Sequence, residues 1–192
     1  MKTRWKIIDP PFGKFHYLGG TPRTDAIKSW LETAMSLYKL ENVSKRQLAI
    51  WRTIILDCHG PFHEPGPVRR ASECDYDALR KHFDKPQAST PYIKRLLIEV
   101  KNSVLDAQFV VTDNGSLAMV PFDTQMGDEI YILAGGNMPF VLRPSKATFS
   151  PPGSVGAQNP CYTLVGECYL DEAMDGQFAD KLRTEAVDIF IV

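Results

Sequence analysis

The hydrophobic periodicity of this chain changes near Gln108, and that change most constrains its fold. Before it, apolar residues recur three and four positions apart, which is the spacing of an amphipathic helix. After it, short runs with strand character are separated by glycine-containing turns. Helices followed by consecutive strands are typical of an α+β fold. We therefore predict an N-terminal helical layer packed on a curved antiparallel C-terminal sheet or small β-barrel.

The helical part is predicted from three segments that each carry an apolar stripe. They are "TDAIKSWLETAMSLYKL", "SKRQLAIWRTIILD" and "TPYIKRLLIEVKNSVLDA", and a shorter helix is expected around residues 75–83. Ser44 with Gln47 three positions later has the spacing of a capping box, which predicts a helix start at Ser44. Thr90 before Pro91 is typical of an N-cap followed by the first helical residue.

The β part is predicted from runs on either side of tight turns. "FVVT" and "SLAMV" flank Asn114-Gly115, a pair that readily adopts positive φ and so favours a hairpin. "EIYILAGGNMPFVLRP" repeats this pattern, and "CYTLVGECYL" and "VDIFIV" predict two further strands. The Pro-, Ser- and Gly-rich "PSKATFSPPGSVGAQNP" is predicted to be a loop.

The length and charge of the chain restrict its class. With 192 residues it is expected to form a single domain over 1–192, of which 1–107 is mainly helical and 108–192 mainly β. The formal net charge of −1 gives no electrostatic basis for binding nucleic acid or a membrane surface. No apolar run has the length of a signal peptide or membrane span, and the four cysteines form no C-x-x-C pair. We expect a cytoplasmic protein with free thiols; its oligomeric state is left open.

The sequence carries no signature of a cofactor or metal enzyme. It has no phosphate-binding glycine loop, no dinucleotide fingerprint, no G-x-S-x-G and no H-E-x-x-H. The segment "DCHGPFHEP" brings Cys58, His59 and His63 together, with Cys74 further along, and such residues can ligate zinc. A polar loop after a helix explains the same residues, because no second ligand pair has zinc-site spacing. We therefore expect neither a metal nor a cofactor.

Glu167, in "YTLVGECYL", is a charged residue within a predicted strand. Alternation places it on one face with Val165 and Tyr169. A buried carboxylate needs an arginine or backbone N–H groups as partners. The natural partners are Arg143 in "VLRP" and Arg52 in "WRT". We predict that Arg143 and Glu167 form a buried structural ion pair; a chemical role for Glu167 is the alternative.

Several of these segments together resemble one family. "FVVTDNGSLAMVP", "MGDEIYILAGGNMPFVLRP", "YTLVGECYLDEAMDG" and the terminal "IFIV" are similar to the C-terminal region of fungal heterokaryon-incompatibility (HET) domain proteins. The helical "AIWRTIILD" is similar to the W-R-T helix before that region. As a short chain, the protein also resembles the HET-like norbornene-forming Diels–Alderase of the sordarin pathway. The resemblance covers most of residues 46–192.

The resemblance implies two candidate functions. The first is a cofactor-independent cyclase of fungal secondary metabolism, a Diels–Alderase that catalyses an intramolecular [4+2] cycloaddition on a small, apolar, terpenoid-like substrate. A cycloaddition moves no proton and can be accelerated by holding the reacting groups in place, so it requires no catalytic motif. The alternative is a non-catalytic, HET-like protein-interaction module, which fits the missing motifs equally well.

A cyclase of this kind needs an apolar pocket with a few hydrogen-bond donors, and we expect that pocket between the helices and the sheet. A donor would polarise a substrate carbonyl, whereas aromatic side chains would form the walls. Aromatic residues also serve ordinary packing, which is the alternative for each of them. The candidate catalytic donors are Arg52, His59 and Tyr169, and the candidate substrate-binding walls are Trp51, Tyr131 and Phe140.

Overall fold

A computed structural model describes most of the chain. The described residues are 4–9, 31–32, 34–36, 43–60, 69–85, 90–104, 106–150, 159–178 and 188–192, with only the backbone for 4–9. The α+β class predicted from the sequence is confirmed, because helices pack on a sheet whose strands are mainly antiparallel.

The helices lie largely where the apolar stripes predict them. They are α1, Val43–Ile54; α2, Glu73–Asp84; and α3, Pro91–Val104. Of the segment predicted as the first helix, residues 31–32 and 34–36 are helical and the rest lies outside the described residues. Thr90 is confirmed as a cap, because its Oγ1 accepts a hydrogen bond of 3.2 Å from the Ile93 N–H.

The expected capping box at Ser44 is wrong, since α1 is described from Val43 and Ser44 lies inside its first turn. A capping interaction is found instead at the start of α2. The Ser72 N–H donates to Oδ2 of Asp75 over 2.6 Å, and the Ser72 hydroxyl bonds the same oxygen at 2.7 Å. The second polar residue of this box is therefore an aspartate three positions after the cap.

The strands of the described residues are β1, Arg4–Asp9; β2, Cys58–His59; β3, Arg69–Arg70; β4, Ala107–Thr112; β5, Leu117–Pro121; β6, Glu129–Ile132; β7, Pro139–Phe149; β8, Asn159–Glu167; β9, Tyr169–Leu170; and β10, Phe190–Ile191. Within the described residues, eight of them form one sheet with the order β10-β8-β7-β6-β1-β4-β5-β9, in which β10 pairs with β8 in parallel. Strands β2 and β3 form a separate two-stranded ribbon.

Strand β1 was not predicted, although it lies in the middle of the sheet. It pairs antiparallel with β4 on one side and β6 on the other. A central strand of the sheet therefore comes from the N-terminal part of the sequence. The predicted loop at 144–160 is also partly wrong. Strand β7 continues to Phe149 and β8 begins at Asn159, while residues 151–158 lie outside the described part.

The sheet curves back on itself at the junction of β8 and β9. These strands lie near opposite ends of the strand order, yet only Cys168 separates them, and its N–H donates to the Pro139 carbonyl at 2.9 Å. A side chain at Gly166 would place its Cβ 2.8 Å from Cγ of Pro121, so glycine permits the close approach of β8 to the end of β5. Among the described strands, the pairing does not form a closed barrel.

Alternation along β4 and β5 separates two apolar cores. Phe109 and Met119 face the helices, whereas Val110 and Ala118 face the inside of the curve. The core between the helices and the sheet consists mainly of Ile50, Trp51, Ile54, Leu79, Phe83, Leu96, Val100, Phe109, Leu117, Met119 and Tyr169. The core inside the curve consists of Val110, Ala118, Val120, Ile130, Val141, Cys168 and Leu170.

Candidate functional site

Two of the predicted donors, Arg52 and Tyr169, share one carboxylate at the junction of helix and sheet. Arg52 lies in the last turn of α1, and its Nε is 3.4 Å from Oδ1 of Asp171, the residue after β9. The Tyr169 hydroxyl donates to the same Oδ1 over 3.1 Å. Asp57 lies on the other side of the guanidinium, with 3.6 Å between Arg52 Nη2 and Asp57 Oδ2.

Further charged groups extend this contact into a network. The Tyr76 hydroxyl donates to Oδ1 of Asp57 over 2.5 Å, and Arg70 of β3 forms ion pairs with Asp57 and with Asp175. The network thus connects α1, α2, β3 and the turn after β9. We call it the arginine–aspartate cluster; its members are Arg52, Asp57, Arg70, Tyr76, Tyr169, Asp171 and Asp175.

Burial dominates the acid–base properties of this cluster. It raises the pKa of Asp171 above the ordinary value, although the Arg52 guanidinium acts in the opposite direction. Burial also raises the pKa of Tyr169, and the neighbouring Asp171 adds to the effect. Tyr169 is therefore a neutral phenol at physiological pH, and its O–H already forms a hydrogen bond to Asp171. The cluster is suited to holding elements together rather than to removing a proton from a substrate.

His59, the third predicted donor, lies apart from this cluster and is bound to a different carboxylate. Its Nδ1 is 2.7 Å from Oε2 of Glu99, and the Gly60 N–H donates to Oε1 of Glu99 over 3.0 Å. Glu99 is only 3% exposed although it lies on the apolar side of α3. The edge of the Tyr92 ring packs near the imidazole, with 5.9 Å between ring centroids. The His59–Glu99 contact thus fastens β2 to α3.

Asp75 provides a further carboxylate, which holds β3, the other strand of the ribbon. Arg69 of β3 donates to it through Nη1 at 2.8 Å and Nη2 at 3.0 Å, and the Tyr92 hydroxyl donates as well. Burial opposes ionisation of Asp75, yet the hydrogen bonds from Arg69, Tyr92 and Ser72 hold its pKa well below the usual range. Burial and the bond to Asp75 raise the pKa of Tyr92 to about 12.

The predicted pocket walls are not brought together. Trp51 is 4% exposed and packs on Phe83 at 5.4 Å between ring centroids, within the core below the helices. Tyr131 lies in another apolar cluster, where its hydroxyl donates to Glu129 and accepts from the Tyr162 hydroxyl, and Phe140 packs at the edge of that cluster. Trp51 therefore lies in the helical layer, whereas Tyr131 and Phe140 lie on β6 and β7.

A groove of about 660 Å³ lies between α1 and α2. Its size is within the range of ligand pockets. Its lining mixes apolar side chains with charged ones of both signs. The lining residues are Ser44, Lys45, Gln47, Leu48, Trp51, Glu73, Cys74, Tyr76, Asp77 and Arg80.

The predicted ion pair between Arg143 and Glu167 is wrong. Arg143 donates to both oxygens of Asp128, with distances of 3.0 Å from Nε and 3.0 Å from Nη2. Glu167 is exposed, and it pairs across the sheet with Phe140 of β7. Directly after it the chain turns to pair with β5. Asp128 is 2% exposed and fills the role expected of Glu167.

The groups that could bind a metal do not assemble in the described part of the chain. No three or more His, Cys, Asp or Glu side chains there are placed to hold a metal ion, and His63 lies outside the described residues. The four cysteines are free thiols, as expected. Within the same residues, no helix has the length and apolar character needed to cross a membrane.

Sequence reasoning missed the carboxylates that hold the predicted donors. Glu99 had a usable signal, because it follows Leu96 by three positions and precedes Val100 within the apolar stripe of α3. Asp75 follows Ser72 by three positions, which is the spacing of a cap interaction. Asp171 had no such signal, since its role depends on how the strand bends after Gly166.

Comparison with known proteins gives a consistent family. A family model described as the Het-6 beta-barrel domain matches residues 78–192. Heterokaryon incompatibility protein 6, OR allele, of Neurospora crassa is 32% identical over 114 residues, which are 59% of this chain. These residues cover 14% of that relative, so the chain spans a small part of its length. No solved structure matches the chain. The family match extends over more than half of the sequence, and the chain belongs to the Het-6 β-barrel domain family.

Proposed function

We propose that the chain is a non-catalytic, HET-like protein-interaction module. The observation that carries this proposal is that each predicted donor already contacts a carboxylate inside the fold. Arg52 and Tyr169 contact Asp171, and His59 contacts Glu99. A group that assists catalysis must reach the substrate with its proton or charge. These side chains instead connect helices to strands.

The similarity to an incompatibility protein supports the same proposal. The relative from Neurospora crassa is named for heterokaryon incompatibility, and the matched part is 14% of its length. We propose that this chain binds a protein of a fungal incompatibility system and that it does so in the cytoplasm.

The proposal is tested by measuring association between two purified proteins, this chain and the Neurospora crassa relative. We expect saturable binding in isothermal titration calorimetry and a complex of defined mass in light scattering. The matched control is this chain with the relative's aligned 114-residue region alone. Binding that is equally strong to that region alone would indicate association between two copies of the shared domain. No binding to the full-length relative would contradict the proposal.

A cofactor-free Diels–Alderase of fungal secondary metabolism is the second candidate. The groove between α1 and α2 favours it, because Trp51, one of the predicted walls, is part of the lining. Positioning of diene and dienophile in such a groove can provide up to roughly 7–11 kcal/mol of barrier lowering. The charged residues of the groove lining argue against an apolar, terpenoid-like substrate.

The cyclase is tested by incubating the protein with an unsaturated terpenoid precursor that contains a diene and a dienophile. Product ratios are compared with those in buffer, and with those of a Trp51→Leu variant whose fold is checked by circular dichroism. An isomer ratio equal to that in buffer supports the interaction module. A changed ratio that Trp51→Leu abolishes would instead establish the cyclase.

A further inference from the structure

The two ends of the eight-stranded sheet are covered to different degrees. At one end both residues of β9 are buried, and Asp171, which follows them, lies against Arg52 of α1. At the other end Ile191 of β10 is 48% exposed, and Val192 after it is 66% exposed. Among the strands of the described residues, β10 pairs only with β8. The other side of β10 is therefore an open edge of the sheet.

The hydrogen bonds of β10 show which backbone groups point to the open side. The Val192 N–H donates to the Tyr162 carbonyl of β8 over 2.8 Å, and Ile191 lies opposite Tyr162 in the parallel register. Along a strand, successive residues direct their N–H and C=O groups to opposite sides. Phe190 and Val192 therefore bond towards β8, whereas the N–H and C=O of Ile191 point away from it.

Apolar side chains lie on both faces of the sheet at this edge. Ile191 is on the same face as Leu164 of β8, because Ile191 is opposite Tyr162 and Leu164 follows Tyr162 by two positions; Leu164 is 47% exposed. On the other face Phe190 packs on Phe149 of β7, with 4.4 Å between ring centroids, and Phe149 is 39% exposed. A strand added at this edge would cover apolar side chains on both faces.

The edge has none of the features that commonly prevent edge strands from pairing, within the described residues 188–192. Exposed edges are usually protected by lysine, proline or a bulge. Residues 189–192 are Ile-Phe-Ile-Val, and the pairing of Phe190 and Ile191 with β8 continues without a register shift. The nearest charge is the exposed Asp188. An edge of this composition is suited to binding another strand.

We propose that the open edge of β10 is the docking surface for an uncharged, extended strand of a protein partner, which adds to the sheet beside Ile191. The inference rests on the proposed interaction function and names the kind of partner. The N–H and C=O of Ile191 bond to the partner's backbone, and side chains of the partner contact Ile191 on one face and Phe190 on the other. In recognition by strand addition, backbone hydrogen bonds provide affinity and alternate side chains provide specificity.

The position of Asp188 favours a different protein over a second copy of this chain. Two identical strands related by a two-fold axis pair antiparallel. A pairing that joins Ile189 of one copy to Ile191 of the other also places Asp188 opposite Val192. The carboxylate would then lose water without gaining a hydrogen-bond partner. A partner strand with a hydroxyl side chain at that position avoids this cost.

The test uses the full chain and two synthetic peptides. One peptide has a central run of alternating valine and threonine between lysines that keep it soluble, and the other has proline at two adjacent central positions. Binding is measured by fluorescence anisotropy, and amide hydrogen exchange is followed by NMR. We expect the first peptide to bind saturably and to slow exchange of the Ile191 amide. The proline peptide should bind at least about tenfold more weakly, because proline cannot donate to a ladder.

Variants locate the binding on β10. Ile191→Pro removes the outward N–H but keeps the Val192 bond to β8, and we expect it to weaken the valine–threonine peptide at least about tenfold. Ile191→Lys keeps the N–H and is the second variant if proline disturbs folding; we expect a loss of about threefold to tenfold. The matched control is Met126→Lys, the same change of charge at an apolar residue that is 70% exposed elsewhere. It should bind within about twofold of the wild type.

Other outcomes overturn the inference. Equal binding of the proline peptide would exclude strand addition, and equal loss in Met126→Lys would show that the site is not on β10. Slow exchange of the Ile191 amide in the unbound monomer would show that another part of this chain covers the edge. A dimer of the chain alone in light scattering, dissociated by Ile191→Pro, would assign the edge to a second copy. No saturable peptide binding would also reject the inference.

The Neurospora crassa relative separates this inference from the proposed function. Binding of the relative to the wild type but not to Ile191→Pro would support both. Equal binding of the relative to the wild type and to Ile191→Pro would show that the β10 edge is wrong while the interaction module stands. If the relative binds neither protein but the peptide still requires Ile191, the proposed function fails and the edge remains a strand-binding surface.

Discussion

Two buried aspartates of this protein, Asp75 and Asp171, have pKa values shifted in opposite directions. Both lie near an arginine, and both connect a helix to a strand or turn. The pKa of Asp75 lies well below its ordinary range, whereas the pKa of Asp171 lies above it. Both side chains are largely shielded from solvent, since that of Asp75 is 0% exposed and that of Asp171 is 10% exposed.

The number and geometry of the donors explain the difference. Asp75 accepts two hydrogen bonds from Arg69, two from Ser72 and one from Tyr92. Asp171 accepts one from Tyr169, and Arg52 Nε, at 3.4 Å, is without a hydrogen bond. Several charge-assisted hydrogen bonds outweigh the cost of removing a carboxylate from water, and a single one does not. Asp75 therefore stabilises the fold in its ionised form. The fold disfavours the ionised form of Asp171.

The largest expected effect is the loss of Asp75. Asp75→Ala leaves the Ser72 N–H and the Tyr92 hydroxyl without their acceptor, and it releases Arg69 from the ribbon. We expect the free energy of unfolding to fall by about 3–5 kcal/mol, measured by urea denaturation. Asp77→Ala, an exposed acid on the same helix, is the control and should cost much less stability, because its ion pairs are exposed to solvent. If Asp75→Ala and Asp77→Ala lowered the free energy of unfolding equally, the hydrogen bonds to Asp75 would not stabilise the fold as expected.

The next effect concerns Glu99, the carboxylate that fastens β2. Glu99→Gln keeps the shape of the side chain but loses the charge that holds His59 and the Gly60 N–H. We expect a loss of about 2 kcal/mol in the free energy of unfolding, together with faster hydrogen exchange at residues 58–60. Glu73→Gln, at an exposed position of α2, is the matched control. Unchanged exchange at 58–60 would show that other contacts hold the ribbon.

The sequence was sufficient for most of the fold because local patterns determine most of it. Helices α1 and α3 follow their apolar stripes, and the β4–β5 hairpin follows Asn114-Gly115, where Gly115 has φ of 85°. The missed β1 had a short alternating pattern, with Trp5 and Ile7 on either side of Lys6. Its position between β4 and β6 depends on contacts across the whole length of the chain, which periodicity does not encode.

The candidate site was predictable only in part, because it depends on long-range pairing. Arg52 and Tyr169 were predicted as donors of a pocket between the helices and the sheet, and Asp171 connects them only because the strand changes partner at Cys168. The pairing of Arg143 was predicted from the strand alternation alone. A break in register between Val141 and Leu142 and the presence of Asp128 in the preceding turn made that prediction wrong.

The dependence of stability on pH separates the two aspartates further. The folded-state pKa of Asp75 is below its unfolded value of about 3.9, so its contribution is present above that pH and is lost as the pH falls through the folded pKa. We expect the wild type to lose about 1–2 kcal/mol more than Asp75→Asn between about pH 5 and pH 2. Urea denaturation across this range measures the difference. Parallel curves for the two proteins would mean that Asp75 is not held ionised.

The smallest effect is expected at Asp171, and its sign is opposite. Its folded-state pKa is raised, so its contribution is present below the unfolded value of about 3.9 and is lost as the pH rises through the folded pKa. At neutral pH the charge therefore costs stability. Asp171→Asn keeps an acceptor for the Tyr169 hydroxyl, and Asp57 remains 3.6 Å from Arg52 as the other carboxylate.

We expect Asp171→Asn to change the free energy of unfolding at pH 7 by less than about 1 kcal/mol, and in the stabilising direction. Thermal and urea denaturation, with exposed Asp188→Asn as control, measure this change. The gain should disappear below about pH 4, because the wild-type carboxyl is then protonated as well. A loss of about 3 kcal/mol or more at pH 7 would show that Arg52 requires the charge of Asp171, and that the two aspartates stabilise the fold in the same way.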